Sequence, residues 1–233
     1  SSASADPVDR DRTCSVPRND SRLQVYQPHW EQVEWAADLA VQGALGITRP
    51  ANWKGSGLPS WTIQGAGGMF PRHGLYVAGE QRLDHRIPAQ IMLGILAQES
   101  NLWQASPRAM EGVYGNPLVG NFYGLADEDD SDSWSIRWHD ADCGYGVAQI
   151  TDGMRQGDPA RTAVEQRIIA VDYASNIAAG VRILEEKWNQ TARLGITVNS
   201  GNPQWIENWF SAVWAYNTGV QPGGPQFGNT TGC

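Results

Sequence analysis

No apolar run in this chain of 233 residues approaches the roughly 20 that a membrane-spanning helix needs. Insertion into a bilayer through a helix is therefore not expected. Basic residues are also in short supply: 17 Lys and Arg stand against 25 Asp and Glu, giving a net charge of −8. That balance excludes a nucleic-acid binder held by phosphate contacts. It also excludes docking on anionic surfaces through the overall field. Any affinity for a polymeric partner must come from a local cleft. Cysteine is scarce, with only Cys14, Cys143 and Cys233. None sits in a CxxC pair, which argues against a zinc site. Three is the count of one disulfide and one remaining thiol in an oxidising compartment, and the pairing stays open. The chain has no initiator Met and no basic-then-apolar leader, which reads as a processed form or a piece of a longer precursor. Internal repeats and convincing strand pairs are missing too. Residues 50–80 and 102–143 leave room for short strands.

Tryptophan, by contrast, is abundant at 11 residues. Two readings stand side by side: a core with Trp at its seams, or flat apolar faces that stack on sugar rings. Residues 1–27 are polar and aperiodic, a tail or an extended arm that Cys14 can tie down. Trp30, Val33, Ala37, Ala40, Val41, Ala44 and Leu45 recur at helical spacing. Residues 46–80 are rich in Gly and Pro and read as loop ordered by aromatics. A mostly buried helix then ends near Asn101, with Asp84 available as a cap and Pro88 suited to its first turn. Residues 159–190 read as one long helix or two joined ones, and a last helix runs from Gln204 to Asn217.

Glu99 is the residue with chemistry. It ends a helix whose preceding residues include Ile91, Met92, Leu93, Ile95 and Leu96. A carboxyl group at such an edge is partly desolvated, which raises its pKa and keeps it protonated. Protonating a glycosidic oxygen requires that state.

The segment IPAQIMLGILAQESNLWQAS resembles the catalytic helix of the soluble lytic transglycosylases, relatives of goose-type lysozyme, with its Glu-Ser pair at Glu99 and Ser100. Three further matches follow in order: a Gly-x-x-Gln turn at Gly146 and Gln149, Asn-Ile-x-x-Gly at Asn176, Ile177 and Gly180, and Ala-Tyr-Asn at Ala215, Tyr216 and Asn217. The resemblance covers roughly residues 83–220. It implies a mainly α, lysozyme-like helical domain with a loop-rich N-terminal region and an acidic insertion. It implies Glu99 and Tyr216 as catalytic residues, with Ser100, Gly146, Gln149 and Asn217 on the substrate. No cofactor and no metal is implied. The expected partner is the glycan strand of peptidoglycan, met by a monomer outside the cell or in the wall.

Two departures from the family pattern stand out. Glu99 and Gly146 are 47 residues apart, well beyond the usual separation, and Val147 and Ala148 replace bulkier apolar residues. The excess is an insertion over about 107–142 that carries the acidic run at 127–133. An EF-hand fails there, because Asp132 and Trp138 stand where Gly and Glu are needed. A solvated acidic loop is the better reading. Asp140 and Asp142 lie just before Cys143 and are candidates for a second carboxylate. With Glu99 alone, the C6 hydroxyl of the sugar closes on C1 and gives a 1,6-anhydro product, the transglycosylase outcome. With a second carboxylate, water attacks with inversion, as in a hydrolytic muramidase or a chitinase-like lysozyme. An inactive glycan-binding module is the third reading. The expected organisation is an arm at 1–27, a helix with loops at 28–82, the catalytic domain at 83–220 and a tail at 221–233.

Overall fold

Burial concentrates in one helix, and the rest of the chain is arranged around it. The computed structural model describes residues 13–17, 20, 23–106, 110–120 and 141–220. Its helices are α1 (Trp30–Gln42), α2 (Ala89–Ser100), α3 (Ala163–Val171), α4 (Tyr173–Arg193) and α5 (Phe210–Thr218). At about 40% helix and 13% strand among the described residues, the class is mainly α. Every residue from Tyr173 to Val181 of α4 is buried, as expected of a helix covered on all sides. Helices α1, α3 and α5 pack on α4. On α1 the buried positions Val33, Ala36, Ala37, Ala40 and Val41 follow the 3–4 spacing. Their small side chains let the two helices approach closely.

The 159–190 segment is two helices because Asp172 is extended (φ −120°, ψ 111°). It ends α3 and caps α4, accepting hydrogen bonds from Ser175 N (3.2 Å) and Ser175 Oγ (2.7 Å). Arg49 pairs with the same carboxylate at 2.9 Å. Helix α2 begins one residue past Pro88, which is its cap rather than its first turn. Asp84 pairs instead with Arg82 at 2.9 Å. The last helix is split into a 3-10 turn (Ile206–Trp209) and α5.

Strands do occur, all short and antiparallel. They are β1 (Val25–Tyr26), β2 (Thr48–Arg49), β3 (Trp61–Thr62), β4 (Leu75–Val77), β5 (Glu80–Arg82), β6 (Ala105–Ser106), β7 (Tyr114–Pro117), β8 (Val119–Gly120) and β9 (Gly144–Tyr145). They form one three-stranded sheet, β1-β7-β6, and three two-stranded ribbons. Strands of two to four residues are too short to print a period-2 pattern on the sequence.

The β4–β5 ribbon is held by one face of α4. Glu185, fully buried, pairs with Arg72 Nε at 2.7 Å and accepts from the backbone N–H of His73 and Gly74. Four residues on, Asn189 accepts from Tyr76 N (2.6 Å) and donates to the Gly74 carbonyl (2.9 Å). Removing one partner of a buried ion pair costs about 3–5 kcal/mol, because the other charge is stranded. Glu185→Ala is expected to lose stability of that order in urea denaturation.

Cys14 and Cys143 form a disulfide across 129 residues. Cys233 lies outside the described residues. Beside the bridge, Val16 N donates to the Tyr145 hydroxyl (2.9 Å), and that hydroxyl donates to the Val16 carbonyl (2.5 Å). The N-terminal arm is thus stitched against β9. Tryptophan is divided between core and surface: Trp61, Trp188 and Trp209 are buried, while Trp30, Trp35, Trp205 and Trp214 are about half exposed. No helix among the described residues is long and apolar enough to cross a membrane.

Candidate active site

Helix α2 stops because Asn101 and Leu102 both adopt left-handed backbone (φ 55° and 65°). Glu99 is therefore carried on the last turn of a rigid helix, one turn beyond buried Ile95. It opens on a cavity of about 690 Å³ between α2 and α5. Ile91, Gly94, Ile95 and Gln98 line it from α2, and Phe210, Val213, Trp214, Tyr216 and Asn217 from α5. The lining is mostly apolar, with the rings of Trp209, Phe210, Trp214 and Tyr216, a few amides, and a second carboxylate, Glu207, from the 3-10 turn.

Burial raises the Glu99 pKa, and the negative charge of Asp142 raises it further. Asp142 is itself raised by burial, against the lowering effect of the Gly144 N–H and of Arg155. That N–H donates to Asp142 Oδ1 at 3.0 Å. Asp142 is thus near enough to act on Glu99 but does not line the cavity that Glu99 faces. Asp140 and the acidic run at 127–133 lie outside the described residues.

The Gly-x-x-Gln turn sits behind Glu99. Tyr145 and Ile150 exchange backbone hydrogen bonds across it, both at 3.0 Å. At its tip, Val147 and Ala148 present two N–H groups and two carbonyls, and each is taken by a side chain from a different element. Val147 N donates to Gln104 Oε1 (3.0 Å), and Ala148 N to Asn176 Oδ1 (2.8 Å). Ser100 Oγ donates to the Val147 carbonyl, and the Tyr216 hydroxyl to the Ala148 carbonyl, both at 2.7 Å. The turn is thereby fixed to α2, α4 and α5 at once, which satisfies every polar group it buries.

The structure therefore divides the residues singled out in the sequence. Glu99, Tyr216 and Asn217 meet at one cavity. Ser100, Gly146, Asn176 and Tyr216 form the clamp around the turn. Gln149 folds back, its Nε2 donating to the Gly146 carbonyl at 3.0 Å, and it does not line the Glu99 cavity. Burial pushes the Tyr216 pKa far up, and the charges of Glu99 and Asp152 add to the effect. Tyr216 is thus a neutral phenol whose proton is committed to Ala148. Gly180 makes room for it: a Cβ there would lie 2.7 Å from the Ala148 Cβ and 3.3 Å from the Tyr216 hydroxyl. Gln104 and Gln27 were not evident in the sequence. Both are buried, and Gln27 Oε1 accepts from Gln104 N (3.0 Å) and Ala105 N (2.9 Å). A glutamine in a loop gives no signal that it is buried.

Comparison with known proteins returns nothing: no family model, no curated protein and no solved structure matches this chain.

Proposed function

We propose that this chain cleaves the β-1,4 bond between N-acetylmuramic acid and N-acetylglucosamine in peptidoglycan, with Glu99 as its only catalytic carboxylate and a 1,6-anhydro product. The observation that carries this reading is a half-buried carboxyl, its pKa raised by burial, on a rigid helix end that opens on an aromatic and amide-lined cavity. The four matched segments, brought together around one turn, support a lysozyme-like scaffold. Trp214 and Phe210 offer stacking faces to sugar rings, and Gln98 and Asn217 offer amides to hydroxyl and acetamido groups. The Cys14–Cys143 bridge accords with a secreted or wall-associated protein.

In this reading Glu99 gives its proton to the glycosidic oxygen as the C1–O bond breaks. The resulting carboxylate takes the proton of the C6 hydroxyl as that oxygen closes on C1. The proton count balances and no water is consumed. An apolar lining disfavours a competing water. Tyr216 acts as a positioning residue, since its hydroxyl holds the turn packed behind Glu99.

One observation favours a second reading, inverting hydrolysis, and that is the charge of Asp142 acting on Glu99. In a two-carboxylate enzyme, pKa values pushed apart assign the acid and the base, and Asp142 would be the base. Mass spectrometry of digested sacculi separates the routes. Anhydro ends support the single-acid route, free reducing ends support hydrolysis, and an absence of released muropeptides sinks both. Asp142→Asn adds a kinetic criterion. On the single-acid route it lowers the Glu99 pKa, so the alkaline limb of the pH–rate profile moves to lower pH and anhydro products persist. On the hydrolytic route it removes a general base, and the rate falls by about 10²–10⁴.

A further inference from the structure

A second cavity, of about 410 Å³, lies between the loop at 152–161 and α4. Arg161 and Arg182 both face it, together with His73, Asp152 and Glu186. Neither arginine is in an ion pair among the described residues. Arg161 uses only Nε, donating to the Asp152 carbonyl at 2.7 Å, and its two Nη groups find no partner among the described residues. Arg182 donates from Nη1 to the Met69 carbonyl (3.1 Å) and from Nε and Nη2 to His73 Nε2 (3.1 and 2.7 Å). Arginine is only a donor, so His73 accepts at Nε2 and is neutral. Burial and the Arg182 charge push its pKa down accordingly.

The arrangement is built. The stem of Arg161 rests on the bare backbone of Gly153, where a Cβ would lie 2.7 Å from Arg161 Cγ. Gln166 Nε2 holds that loop through the carbonyls of Gly153 (2.7 Å) and Arg155 (2.9 Å). Two guanidiniums thus share a part-buried pocket with unfilled donor capacity, while the carboxylates of Asp152 and Glu186 stand exposed beside them. Inside the pocket the geometry suits a ligand carboxylate. At the rim it suits a cation.

We propose that this cavity binds a zwitterionic peptide group, with its carboxylate between Arg161 and Arg182 and its ammonium at the rim facing Asp152 and Glu186. A simple anion fits less well, because the two rim carboxylates cancel the two positive charges. Assigning the ligand to the stem peptide of peptidoglycan rests on the function proposed above. The binding itself does not.

The test is a titration of the ¹⁵N-labelled chain with a synthetic stem tetrapeptide, free or amidated at its C-terminus, read at the arginine Nε–Hε signals. The free acid is expected to shift Arg161 and Arg182 saturably. The amidated peptide is expected to bind about tenfold more weakly or worse, from the loss of charge-assisted hydrogen bonds. Arg161→Gln keeps the stem on Gly153 and is expected to weaken the free acid equally, with Arg182→Lys as an independent second variant. No saturable shift, or equal binding of the two peptides, overturns the proposal. So does wild-type affinity in both variants. Cleavage of sacculi without peptide binding removes this inference alone. Peptide binding without cleavage removes the glycan reading and leaves the pocket standing as a peptide site.

Discussion

Glu99→Gln is expected to lower the rate of sacculus lysis by about 10²–10⁴-fold without lowering Tm at neutral pH. The two halves of this result come from one cause. Gln keeps the shape of the side chain but has no proton to deliver at a leaving oxygen. The carboxyl that it replaces is held in a setting hostile to its charge, by burial first and by Asp142 second. The sign of the linkage follows. A carboxyl whose folded pKa is raised binds its proton more tightly in the folded state. The stability this contributes is present below the unfolded pKa and is lost as pH rises through the folded one. As pH rises from the unfolded pKa toward the raised folded one, the wild type gives up that contribution while Gln has nothing to lose, so the variant is expected to match or exceed the wild-type Tm at neutral pH. Activity and stability moving in opposite directions at one residue mark a functional group kept at a structural cost. Thermal melts over a pH series, paired with turbidity assays on sacculi, check both halves.

Gly146→Ala is expected to destabilise the fold by about 2–5 kcal/mol, measured by chemical denaturation, and to abolish lysis along with it. Gly146 has φ +71°, and a Cβ there would lie 2.5 Å from Gln104 Oε1 and closer still to Asn176 Nδ2. The left-handed backbone alone costs a non-glycine residue roughly 1–2 kcal/mol. Relief of the clash requires Gln104 or Asn176 to move. Gln104 is the acceptor for Val147 N, and Asn176 for Ala148 N. A buried donor left without a partner adds about 1–3 kcal/mol. A control glycine separates strain from clash: Gly157 has φ +73° but open space around its Cβ position, so Gly157→Ala should show only the backbone part.

Much of this arrangement was legible from residue order. Helices α1 and α2 announced themselves through apolar spacing, and the division at Asp172 was left open between one helix and two because Asp is an ordinary helix residue until its cap geometry is seen. The strands were not legible, since pairs such as Val25–Tyr26 with Tyr114–Pro117 are set by long-range contact. The matched segments were visible as letters, but their physical job was not. Ser100 and Asn176 turn out to hold the backbone of the Gly146–Gln149 turn, and nothing in their local sequence specifies a partner 47 or 28 residues away. The pairing of Cys14 with Cys143 was open among three cysteines. The arginine pocket was invisible because Arg161 and Arg182 come together only when α4 passes the Gly153 loop.

The central claim is that Glu99 keeps its proton in the folded protein and delivers it to a glycosidic oxygen. The most direct test is a ¹³C NMR titration of the Glu99 side-chain carboxyl, laid over the pH dependence of lysis. The predicted result is a Glu99 midpoint above the ordinary glutamate range that coincides with the alkaline limb of activity. A midpoint at or below that range, with lysis undiminished where Glu99 is ionised, would contradict it.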